Sequence, residues 1–158
     1  MPFYAYIVAK KHENLKAPIA IGDGPNWIAG NPDVSQFSVY GSGHVGIAGA
    51  IIAKTDVPEI LKLDCLATDF YRGQAYPTFL LYNPNEEEKT VTYETKNTEK
   101  IDLYDAITHE VIIKNVYKSS KMIIPRESSR LIVELPAGSK IVFKNGKYYV
   151  NETVISYL

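Results

Sequence analysis

Apolar and polar residues alternate with a period of two along the downstream half of the chain, in short runs set off by turn residues. Lys89 to Glu94 places Val91 and Tyr93 on one side, and Lys100 to Tyr104 places Ile101 and Leu103 together. Similar runs cover Thr78 to Tyr82, Glu110 to Lys114, Lys121 to Ile124 and Arg130 to Leu135. Between them stand Asn83-Pro84-Asn85, Pro125 and Pro136-Ala137-Gly138. These residue types favour turns because they preset φ, tolerate positive φ or bond their own backbone. The sharpest local signal is Asn145-Gly146. Both residues accept the positive φ values of a type I′ turn, whose twist matches that of paired strands. A hairpin is expected there, with Phe143 opposite Tyr148 and Ile141 opposite Val150. About eight short strands then fall between Ala75 and Leu158. Each sheet they form is apolar on one face and must cover that face with another sheet. The expected fold is mainly β, an antiparallel Ig-like β-sandwich in the C-terminal half.

Upstream the pattern changes. Pro18, Gly22, Gly24, Pro25, Gly30, Pro32, Gly41, Gly43, Gly46 and Gly49 interrupt the chain, and no regular strand spacing appears. Phe3 to Ala9 is apolar on all sides and ends in Lys10 and Lys11. It reads either as a buried helix whose basic end suits the helix dipole or as a central strand. Residues 22–36 read as a long loop of the kind that carries function. Gln36 to Tyr40 reads as a short strand, and Ser42 as the cap of a helix from about His44 to Lys54. Ile60 to Leu66 has period two, with Leu61, Leu63 and Cys65 alternating with Lys62 and Asp64. The organisation expected is a mixed segment over 1–74 with one or two short helices, followed by the β-sandwich over 75–158.

Composition narrows the function classes. With 17 basic and 18 acidic residues the formal charge is -1, so the surplus of cations that binding to nucleic acid requires is missing. The longest apolar stretch, Val45 to Ala53, is less than half of a bilayer span, and no membrane partner is expected. Phe3 to Ala9 has neither the basic residues nor the cleavage site of a signal peptide. Cys65 is the single cysteine, which excludes an internal disulfide and a cysteine-based metal site and fits a reducing, cytoplasmic compartment. Tyrosine is abundant, with 12 copies against five Phe and one Trp. Its ring with a polar tip suits half-buried sheet faces first and stacking on sugars second.

Few residues suggest chemistry. Gly41-Ser42-Gly43-His44-Val45-Gly46 fits a dinucleotide-binding glycine pattern, and Asp64 stands where the ribose carboxylate would lie. The all-β continuation argues against that reading, and a glycine-rich turn before a closely packed helix is favoured. His12, His44 and His109 lack ligand spacing, so no metal is expected. Cys65 lies in an apolar run and reads as a packed, inert thiol. Asn151-Glu152-Thr153 matches a glycosylation sequon at the level expected by chance. Two loop clusters mix carboxylates with aromatic rings: Asp23, Asn26, Trp27 and Asp33, and then the stretch from Asp69 to Tyr76. Stacking plus hydroxyl hydrogen bonding is the chemistry that holds sugars. The carbohydrate-binding candidates are therefore Asp23, Trp27, Tyr40, His44, Asp69, Tyr71, Arg72 and Tyr76. The bland reading has Trp27 anchoring its loop and Asp69 pairing with Arg72.

A family resemblance joins these threads. Tyr82-Asn83-Pro84-Asn85, Asp102-Leu103-Tyr104-Asp105 and Ile124-Pro125 with Ser128-Ser129-Arg130-Leu131-Ile132-Val133 resemble the C-terminal β-sandwich attached to many carbohydrate-active enzymes. Tyr40 to Ile47 with Gly49 resembles the closing helix of an α/α-barrel that precedes such sandwiches. The resemblance covers about 120 residues, and its motifs are structural turns and edges that carry no catalytic residue across. It implies a non-catalytic C-terminal region of a glycoside hydrolase-like protein, in a structural or accessory role and without a cofactor. The partners it implies are carbohydrate and a larger upstream catalytic domain or chain, with self-association through the apolar N-terminus as a further expectation. A stand-alone carbohydrate-binding module and a small NAD-binding oxidoreductase using residues 41–46 are the alternatives.

Overall fold

Every strand expected downstream of Ala75 forms, because side chains two apart along the backbone must share a face. The computed structural model describes residues 48–71 and 73–158. The expected helix over His44 to Lys54 is helical at residues 48–51 and then gives way. Ile52–Lys54 is a strand, β1, because it pairs antiparallel with β2 (Leu61–Asp64) through Ile52 with Leu63 and Lys54 with Leu61. The remaining strands are β3 (Thr78–Asn83), β4 (Lys89–Glu94), β5 (Ile101–Asp105), β6 (Glu110–Val116), β7 (Ser119–Ile124), β8 (Ser128–Pro136), β9 (Val142–Lys144), β10 (Lys147–Val150) and β11 (Thr153–Tyr157). Residues 51–158 form one compact unit.

Among the described residues all pairings are antiparallel and make three sheets. The largest has the order β1-β2-β3-β8-β5-β6; β4 and β7 form a second, and β11-β10-β9 a third. The two smaller sheets cover opposite faces of the large one. On one side Val91, Tyr93, Met122 and Ile124 of β4 and β7 pack with Leu81, Leu103 and Ile132. On the other, Val150 and Ile155 pack with Tyr104, Val133 and Leu135, joined by Ile141 and Tyr148. The mainly-β, antiparallel sandwich architecture is thus present, with a third sheet beyond the two of a simple sandwich. Being covered twice, β5 is buried at every position of Ile101-Asp102-Leu103-Tyr104-Asp105. Truncating a side chain such as Leu103, which is 0% exposed, carries a cost of about 2–5 kcal/mol.

The Asn145-Gly146 hairpin joins β9 to β10 as expected, with φ of 52° and 71° and with Phe143 opposite Tyr148. The last pair of that ladder is Val142 with Tyr149. Ile141 and Val150 meet on the inner face, in the core, without pairing in the ladder. Strand β11 was not expected. It pairs with β10 across a second two-residue turn, Asn151-Glu152, where both residues are also left-handed.

Candidate functional site

A buried polar group costs free energy unless its hydrogen bonds are satisfied, so interior carboxylates show what the fold itself consumes. Glu134 of β8 faces β4. Its Oε1 accepts from the Tyr93 hydroxyl at 2.9 Å, and its Oε2 accepts from Thr95 Oγ1 at 2.9 Å and Asn97 Nδ2 at 2.6 Å. Lys62 Nζ stands 3.9 Å from Oε1, donates to the Glu94 carbonyl at 2.6 Å, and lies over the Phe79 and Tyr93 rings at 3.9 and 3.8 Å. Burial pulls the Lys62 ammonium down to about 8, partly offset by the charge of Glu134. Burial, and then Glu134, push the Tyr93 phenol well above its ordinary range.

Three more groups are spent in the same way. Asp105, fully buried, takes Arg130 Nη1 at 2.7 Å and the backbone N–H groups of Ile107 and Leu131. Asp102 holds the N–H groups of Asn115 at 2.8 Å and Gly138 at 2.9 Å, which fixes an irregularity within β6 and the turn after β8. Asn83, expected in a turn, is buried at the end of β3. Its amide donates to the carbonyls of Glu87, Ile124 and Pro125, while its Oδ1 accepts from Asn85. The surface carboxylate of Asp56 is held down at about 2, chiefly by hydrogen bonds from the Thr92 hydroxyl and backbone.

A serine and a histidine do meet. His109 Nδ1 lies 3.3 Å from Ser156 Oγ and 3.3 Å from the Tyr104 hydroxyl, which is itself 2.8 Å from Ser156 Oγ. The imidazole stacks on Tyr148 at 4.5 Å. Nucleophilic catalysis needs a serine that a substrate can reach. Ser156 is 7% exposed and shares its hydroxyl with Tyr104, so the trio ties β11 to β5 and the β5–β6 turn.

Among the described residues, a cleft opens to solvent on the far side of the three-stranded sheet. Tyr148 and Val150 point into the core, so Tyr149 must point outward, and its direct partner Val142 shares that outer face. Lys144, two residues along from Val142, stands on the same face. These three, with Asn145 from one turn and Asn151 and Glu152 from the other, line a cleft of about 380 Å³. That volume falls within the range of small-ligand sites. Its floor is apolar and its rim carries two amides, an ammonium and a carboxylate. The side chains of Lys144 and Glu152 make no hydrogen bond or ion pair with another described residue.

Of the candidates named from sequence, Asp23, Trp27, Tyr40, His44 and Arg72 lie outside the described residues, as does the glycine motif at 41–46. Asp69 is exposed, and its backbone N–H donates to the Leu66 carbonyl at 3.2 Å. Tyr71 is fully exposed beside exposed Phe70. Neither Asp69 nor Tyr71 lines the cleft. Tyr76 is half-buried against the second core, and its hydroxyl is 3.5 Å from Asn151 Nδ2, at the edge of the cleft. The expectation that Cys65 is packed away is corrected. Its side chain is exposed, because the strand stops at Asp64 and a turn begins. Partial desolvation still pushes its thiol up, away from reactivity. The cleft residues had one readable signal. A hairpin that turns Tyr148 and Val150 into the core obliges Tyr149, with its partner Val142 and with Lys144, to take the other face.

Among the described residues no group of three or more His, Cys, Asp or Glu is placed to hold a metal ion. No protein-family model, no curated protein and no solved structure matches the chain.

Proposed function

We propose that this chain is the non-catalytic β-sandwich region of a glycoside hydrolase-like, carbohydrate-active protein, in an accessory role, and that it meets sugar at the cleft on its three-stranded sheet. One observation carries the reading: Tyr149 and Val142 give the cleft an apolar floor, while Asn145, Asn151, Lys144 and Glu152 surround it with hydrogen-bonding groups. A pyranose has the complementary character, with apolar C–H faces and a ring of hydroxyls. The interior chemistry supports the non-catalytic half of the reading. Glu134, Asp105, Asp102 and the His109–Ser156 pair are all engaged in holding sheets and turns together. A stand-alone carbohydrate-binding module would use the same cleft. The oxidoreductase alternative draws on no described residue beyond Asp64, whose Oδ1 accepts from the Leu66 N–H within its own turn.

The test is titration of the full chain with cellotetraose, xylotetraose and maltotetraose by calorimetry. At least one is expected to bind, and Tyr149→Ala is expected to weaken that binding about tenfold, the loss of roughly 1.4 kcal/mol of ring stacking. Absence of binding by all three sugars would falsify the carbohydrate reading.

A further inference from the structure

We infer that Glu152 is a specificity-determining residue of the cleft, accepting hydrogen bonds from adjacent hydroxyls of a neutral sugar. This rests on the carbohydrate reading for the class of ligand, but it is argued from the backbone. Strand β10 is entered and left through two-residue turns that close directly on paired residues, Lys144 with Lys147 and Val150 with Thr153. Both turns are left-handed at both positions. The first has Asn145 at 52° and Gly146 at 71°, the second Asn151 at 47° and Glu152 at 65°. Asparagine tolerates this region through short local hydrogen bonds, and glycine enters it without steric cost. Glutamate has neither advantage, so the second turn keeps a residue that the fold disfavours there.

The rest of the structure offers no return for that residue. Glu152 is exposed and makes no hydrogen bond or ion pair with any described residue, yet it lines the cleft next to Asn151. Strain held at a residue that faces an open cleft is a mark of a functional position when packing does not account for it. A carboxylate there has four lone-pair sites and accepts two O–H donors at once, which matches neighbouring hydroxyls of one ring. Lys144 at the same cleft supplies donors to the sugar oxygens. A ring that put a carboxylate in place of the hydroxyls facing Glu152 would be repelled there, so the Glu152 contact itself favours neutral rings, whatever Lys144 attracts at the other end of the cleft.

The experiment compares the full-length wild type with Glu152→Gly and Glu152→Gln, using cellotetraose, xylotetraose and maltotetraose as neutral probes and tetragalacturonate as the acidic one. Glu152→Gly is expected to raise the melting temperature by roughly 2–4 °C while cutting affinity for the bound neutral sugar at least tenfold. Glu152→Gln is expected to leave the melting temperature unchanged and still weaken binding severalfold. Stabilisation and lost binding in one variant cannot come from misfolding. Wild-type affinity in Glu152→Gly, a fall in its melting temperature, or tighter binding of tetragalacturonate than of the neutral sugars would each overturn the inference and leave the carbohydrate reading standing. Failure of the wild type to bind any of the four overturns both.

Discussion

Two glutamates divide the labour of this β unit. Glu134 sits between the large sheet and the β4–β7 sheet, 4% exposed, with both oxygens occupied by Tyr93, Thr95 and Asn97 and with Lys62 close by. Glu152 sits at a turn on the opposite side, exposed, in a backbone region that suits glycine better. The first is fully answered by the protein and so can contribute only to architecture. The second is answered by nothing among the described residues and so is free for something outside. A carboxylate's burial and partners, more than its presence, decide which role it serves.

The comparison breaks most visibly at Glu134. Glu134→Ala leaves Tyr93, Thr95 and Asn97 without their acceptor and the largely buried Lys62 ammonium without its counter-charge, and a loss of about 3 kcal/mol is expected. Urea unfolding measures it, and sugar affinity should not move, because the cleft lies beyond the other face of the large sheet. Wild-type stability in that variant would show that the network is idle. Next comes Gly146→Ala. A Cβ there meets open space, so only the left-handed φ of 71° resists it. A loss of about 1 kcal/mol is expected, equal and opposite in origin to the gain from Glu152→Gly. If Gly146→Ala is neutral, these turns carry no strain and the argument for Glu152 loses its footing.

Much of this architecture was legible because period-two alternation has one structural meaning. Val91 with Tyr93 and Ile101 with Leu103 fall on the faces that the pattern assigns them. Asn145-Gly146 announces its turn because only residues tolerant of positive φ fit there. The second turn stayed hidden for the same reason, since Asn151-Glu152 lacks the glycine that marks such a loop, and β11 was hidden with it. β1 was hidden because Ile51 and Ile52 follow small residues that read as helix, and only pairing with Leu61–Asp64 makes a strand there. The cleft was half legible. Tyrosine abundance points to ring surfaces, but aromatic residues mixed with carboxylates are densest in the loops, whereas the described cleft is built on a hairpin. The Glu134 network was illegible, since Lys62, Tyr93 and Asn97 are brought together only by the stacking of two sheets.

The smallest expected effect is a pH dependence that belongs to the interior site alone. Lys62 titrates near 10.5 in an unfolded chain and near 8 in the folded one, because burial disfavours its charge. Between those values the unfolded chain holds a proton that the folded protein has released. Raising pH therefore favours the folded state, and stability from this group grows from about pH 8 towards 10.5. Tyr93 works the other way above its ordinary value of 10, where the unfolded phenol loses a proton that the buried one retains. Cys65, whose thiol is also pushed up from its ordinary value of 9.0, opposes Lys62 in the same way from about pH 9, so the clean window is pH 8 to 9. One pH unit limits a single group to about 1.4 kcal/mol, and half-titration of Lys62 at the lower end of the window holds the gain to no more than about the Gly146→Ala loss. Urea midpoints across this window should rise in the wild type relative to Lys62→Met, whose side chain fills the same space between Phe79 and Tyr93 without a proton to release. An identical pH profile in the two proteins would mean that Lys62 keeps its full charge in the fold, and that the interior site is wetter than its rings and carboxylate imply.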